Sequence, residues 1–142
     1  MSTPYAFAVE LPLPLAQAIE RLREALAAEQ MGIVSEVDVQ ATLKNKLGLD
    51  SHPQKLLGIC SPKVAHALMG AEPDIAALLP CGCGAAEASP GCTRIVLQDP
   101  RVIAALTDNA EVRAASELAR ATLLRVVDRL ASGTAAPTPA RA

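Results

Sequence analysis

Aromatic side chains are almost missing from this chain: Tyr5 and Phe7 are the only two, and tryptophan is absent. Single-stranded nucleic acids are held largely by bases stacking on aromatics, so that class of partner is not expected. Nor is there an excess of one charge. Thirteen Lys and Arg stand against fifteen Asp and Glu, for a net charge of −2, with the signs interspersed. That leaves no basic footprint for a phosphate backbone. Long hydrophobic runs are missing too. The longest uncharged stretch, Ile75 to Ala86, has twelve residues, where a bilayer span needs about 20. Glu10 interrupts the early apolar residues and the first basic residue is Arg21, a poor match to an export signal. The expectation is a cytoplasmic protein with no nucleic-acid and no membrane partner. Histidine is limited to His52 and His66. There is no His pair on a helix, no Gly-rich phosphate loop after a strand and no nucleophile-elbow serine, so no enzyme class is indicated.

What is present suffices for one independent core. The 142 residues fit a single domain, and 51% of them are apolar, mostly Leu, Ile, Val and Ala. Pro4 to Glu10 alternates as a strand, and Pro14 opens a helix carrying Leu15, Ile19, Leu22 and Leu26 on one face. Gly32 to Val37 reads as a second strand. Asp38 caps a short helix with Val39, Leu43 and Leu47, closed by Gly48. Lys55 to Cys60 is a third strand, and Ser61-Pro62 starts the next helix as cap and first residue. Leu78 to Ala88 and Cys92 to Gln98 form a hairpin around Ser89-Pro90-Gly91. Asp99-Pro100 begins another short helix, and Ala110 to Leu130 is the longest periodic segment. The expected domain is residues 1–131, followed by a disordered tail over 132–142. The fold class is α+β: a mixed, mostly antiparallel sheet of about five strands with helices mainly on one face. A sheet face left bare by the helices predicts a homodimer.

Several segments, taken together, carry a family resemblance. They are Ser35-Glu36-Val37-Asp38-Val39, Leu43-Lys44-Asn45-Lys46-Leu47-Gly48, Leu57-Gly58-Ile59-Cys60-Ser61-Pro62, Leu78-Leu79-Pro80-Cys81 and Asp99-Pro100. In this order and spacing the chain resembles the prokaryotic "domain of unknown function 302" family over about residues 5 to 130. The resemblance implies a small α+β fold that assembles as a homodimer, and it brings no established reaction. Two departures stand out. After Leu-Pro-Cys the family usually continues with asparagine and a β-branched run, where this chain has Gly82-Cys83-Gly84-Ala85-Ala86. It often has an aromatic residue where Gln54 stands.

The cysteines are the chemistry-bearing residues. Cys60 ends a strand just before a helix N-terminus, where free N–H groups favour a thiolate. Cys81 and Cys83 are two apart in a strand, so both sulfurs project from one side about 7 Å apart at Cβ. With Cys60 they would form a soft thiolate site for Cu(I), Zn²⁺ or an iron–sulfur cluster, supported by Ser61, Pro62 and Pro80. Cys92, across the hairpin turn and facing about Glu87, is a secondary fourth ligand. The competing reading is thiol-based redox or sulfur-transfer chemistry with Cys60 as nucleophile or persulfide carrier. A third is a structural or small-ligand-binding dimer with incidental cysteines. Asp38, Lys44, Lys46 and His52 would line a polar pocket, against the plainer reading of a solvated face.

Overall fold

The computed structural model describes residues 3–133. The chain runs through β1 (Ala6–Leu11), α1 (Leu15–Ala27), β2 (Gly32–Asp38), α2 (Val39–Leu47), β3 (Gln54–Cys60) and α3 (Pro62–Ala71). A 3-10 helix (Pro73–Leu78) precedes β4 (Cys81–Ser89), β5 (Cys92–Gln98), α4 (Arg101–Ala104) and α5 (Ala110–Gly133). The expected tail lies outside the described residues except for Ser132 and Gly133, which complete the last turn of α5.

Local chemistry sets most of these boundaries. The Asp38 carboxylate accepts the Ala41 N–H at 3.0 Å to cap α2, and Gly48 closes that helix at φ 66°, a conformation side chains resist. Ser61 Oγ accepts the Val64 N–H at 3.4 Å, with Pro62 in the first turn of α3. Helix α1 has no cap of its own, since Pro14 offers no side-chain acceptor. Its first N–H, from Leu15, is met instead by Glu87 Oε1 of β4 at 2.8 Å, while Glu87 Oε2 takes Gly91 N–H at 2.9 Å. These two backbone donors, Gly91 first, hold the Glu87 carboxyl below the usual carboxylate range.

The strands lie in the order β1-β5-β4-β3-β2, and every pairing is antiparallel. The α1 crossover carries the chain from one edge strand, β1, to the other, β2, so these two run in the same direction without being neighbours. One sheet face contributes Val9, Leu11, Leu57, Ile59, Cys83, Ala85, Ile95 and Leu97 to a core closed by α1 and α5. A second cluster, Leu68, Ile75, Ile103, Val112 and Ala115, joins α3, α4 and α5 beyond the sheet end. Ion pairs to Glu29 and Asp99 help tie α5 down. Arg125 and Arg129 donate to Glu29 at 2.9 and 3.0 Å. Arg120 donates to Asp99 at 3.1 Å and sits 5.4 Å over the Phe7 ring. Helix α2 is the exception to this packing, because none of its residues is buried.

The alternation of apolar residues places the helices as expected, with the opposite sheet face bare. The first arm of the hairpin begins at Cys81 rather than Leu78, since Pro73–Leu78 is occupied by the 3-10 helix. The turn is the Pro90-Gly91 pair, so Cys92 sits opposite Ser89 and not opposite Glu87.

Candidate functional site

Strands β3 and β4 pair so that Ile59 lies opposite Cys81. Cys60 therefore ends one strand beside the point where Cys81 begins its neighbour. Both sulfurs are half-buried free thiols. Two local features build this corner. Ser61 and Pro62 turn the chain out of β3 directly into α3. Pro80, joined to Leu79 by a cis peptide bond, lays its ring over Gly58. A Cβ at Gly58 would come within 2.5 Å of Pro80 Cγ and would also strike Ser35 Oγ. Only a glycine admits that close approach.

Cys60 and Cys81 line one small, partly open cavity of about 40 Å³ between the sheet end, α3 and α5. Its other walls include Met31, Val64, Leu79 and Leu123, and no charged side chain faces it. Its two hydroxyls are engaged. Ser61 Oγ caps α3, and Thr122 Oγ1 donates to the Leu118 carbonyl at 3.0 Å. Burial, and secondarily electrostatic repulsion from the neighbouring Cys60, pushes the Cys81 thiol up to about 11. Cys81 thus keeps its proton at neutral pH, and its ionisation is sensitive to the state of Cys60.

The other two cysteines are elsewhere. Cys83 belongs to the central core, 7% exposed, opposite Leu57 on one side and Leu97 on the other. Burial alone pushes its thiol up to about 12. Strand alternation does put it on the same face as Cys81, but that face is the one packed under the helices. Cys92 lies at the far end of the hairpin, eight positions along β4 from Cys81 by its pairing with Ser89, which at strand rise is roughly 26 Å. Among the described residues, no group of three or more His, Cys, Asp and Glu side chains stands together as a metal site. The set of three thiolates plus Cys92 expected from spacing is not assembled; two of its members are.

The polar pocket fares similarly. Asp38 and Lys44 share an open depression of about 500 Å³, and Lys46 and His52 do not line it. Asp38 is occupied as the α2 cap, and Lys44 pairs with Asp50 at 2.9 Å on the exposed surface. Asp50 and Ser51, which the sequence reading passed over, complete its rim. A second depression missed in sequence, about 440 Å³, lies on the bare sheet face over Gly82 and Gly84, between Leu56 and Val96. The glycines are its signal: at Gly82 a Cβ would meet nothing within 4 Å.

No helix among the described residues is long and apolar enough to cross a membrane. The fold is similar to that of the uncharacterized conserved protein DUF302 from Bacillus stearothermophilus. Its crystal structure matches with a TM-score of 0.80 at 24% identity, over 90% of this chain and 99% of that one. No curated protein matches the chain. Residues 7–130 match the family model described as "Domain of unknown function DUF302", and the chain belongs to that family.

Proposed function

We propose that this domain is a thiol-based redox protein in which Cys60 reacts and Cys81 resolves. The observation that carries the reading is the cavity. Cys60 and Cys81 share it, it holds no other thiol and no charged group, and Cys83 and Cys92 are excluded from it. Cys60 as thiolate attacks an electrophilic oxygen or sulfur, and the displaced group departs. Cys81 then attacks the modified Cys60 sulfur, giving a Cys60–Cys81 disulfide and expelling the second leaving group. The two electrons come from the cysteine pair. Cys81, held protonated by burial, supplies the proton that the leaving group takes. Mild oxidation followed by peptide mass mapping tests this. A Cys60–Cys81 bond is expected, lost in Cys60→Ser and Cys81→Ser and kept in Cys92→Ser. Oxidised protein in which these two thiols stay free, or pair with other cysteines, refutes it.

We also propose a homodimer. Its support is the uncovered apolar surface on the bare sheet face and around α2: Leu56, Val37, Leu47 and Leu49 are 51%, 47%, 64% and 52% exposed. A nine-residue helix with no fully buried residue gains little from its own hydrogen bonds, since isolated helices under about 12 residues are marginal in water. Sedimentation at micromolar concentration should give twice the chain mass, falling to the monomer in Leu47→Glu/Leu56→Glu. A monomeric wild type overturns the proposal.

A further inference from the structure

We propose that the reactant of the Cys60–Cys81 cavity is hydrogen peroxide: a small, uncharged hydroperoxide selected by size and by the absence of any charged wall. The inference rests on the thiol reading above and names what that site takes. The volume is the first argument. The cavity measures about 40 Å³, and on this measure a single water needs roughly 10–15 Å³. A molecule of a few heavy atoms enters; a glutathione disulfide or a bulky organic hydroperoxide does not. Charge is the second. No Lys, Arg, His, Asp or Glu is among the lining residues, so an anionic oxidant would lose its water and gain no partner. Hydrogen peroxide carries no net charge. The polar partners it requires are the two sulfurs themselves, an acceptor at the Cys60 thiolate and a donor at the Cys81 S–H.

The chemistry closes with no other reactant. Cys60 S⁻ attacks one peroxide oxygen and the O–O bond breaks. Cys60 becomes the sulfenic acid, and the departing hydroxide takes the Cys81 proton to leave as water. The Cys81 thiolate so formed attacks the Cys60 sulfur, and the S–O bond breaks. Hydroxide leaves and is protonated by solvent to a second water, and the Cys60–Cys81 disulfide remains. The two protein thiols have lost two electrons and the peroxide has gained them. Burial of Cys81 fits this order of events, since its proton stays in place until the hydroxide forms.

The test uses the reduced full chain with hydrogen peroxide, cumene hydroperoxide and oxidised glutathione at equal concentration, each rate divided by that of a free small thiol. Formation of the Cys60–Cys81 disulfide is followed by quenched alkylation and mass mapping. Hydrogen peroxide should lead by about tenfold or more, a barrier difference of about 1.4 kcal/mol. In Cys81→Ser, dimedone should trap a sulfenic acid at Cys60. Ala65→Leu, which fills a wall of the cavity, should slow the peroxide reaction and leave cumene hydroperoxide unchanged. If the bulky oxidants match hydrogen peroxide, size selection is wrong while the thiol pair stands. If no oxidant links Cys60 to Cys81, both readings fall.

Discussion

Replacing Cys83 by serine should unfold this protein more readily than removing the side-chain sulfur altogether. Cys83 is 7% exposed and sits in the core between Leu57 and Leu97, beneath α1. A free thiol there behaves as a small hydrophobe. A hydroxyl of nearly the same size carries a strong donor into a wall of apolar side chains, and an unmet polar group of that kind costs about 1–3 kcal/mol. Cys83→Ala leaves only a void about the size of one methyl group, costing about 1 kcal/mol. Urea unfolding followed by circular dichroism measures both. With a slope of about 2 kcal/mol per molar urea, the serine variant should lose roughly 0.5–1.5 M in midpoint, and the alanine variant less. A serine variant as stable as wild type, or more stable than the alanine variant, would refute the placement of Cys83 in the core. Read from sequence alone, Cys83→Ser should leave the fold intact, because flanking glycines suggest a loose strand end. The helices packed over β4 reverse that expectation.

Two further outcomes follow from the same corner of the sheet. Cys81 and Cys83 rise from the ordinary 9.0 to about 11 and about 12, so above the unfolded value the unfolded chain holds fewer protons than the folded one. These two thiols add no pH dependence below that value and lower stability as pH climbs through it, by about 1.4 kcal/mol per pH unit for each. A urea series against pH should show this alkaline slope in wild type and a shallower one in Cys83→Ala; equal slopes would count against it. Gly58→Ala should cost about 1–3 kcal/mol because its methyl group meets the rigid Pro80 ring. Gly82→Ala, facing open space, should change thermal stability little, and a larger loss there than at Gly58 would overturn the packing argument.

Features decided by neighbours in the chain were legible in the sequence. Asp38, Gly48 and Ser61-Pro62 act on groups within a few residues of themselves, and each helix boundary they predict is found. The α+β class followed from the same signals, as did the placing of Cys60 and Cys81 at neighbouring strand ends, each beside a proline or its cap. Features decided by register were not legible. Nothing near Glu87 reveals that it caps a helix 72 residues earlier. Period two correctly put Cys83 on the same side as Cys81, but periodicity does not say which side faces the helices. Cys92 was misplaced by the turn. With Pro90-Gly91 as its central pair, the hairpin sets Cys92 opposite Ser89 and far from the other thiols.

The position of β1 has a consequence for how the chain folds as it is made. Its partners run from Thr93, opposite Leu11, to Gln98, opposite Ala6, so the other four strands are all synthesised before β1 can dock fully. Strands β2, β3 and β4 pair with successive neighbours and can assemble as they emerge. During that interval Phe7, Val9 and Leu11 are an unpaired apolar edge, and such edges recruit other chains. The last pairing to form also closes the core beneath α5. The sheet of this domain is therefore completed by its first strand, and a chain cut before β5 leaves that strand without a partner.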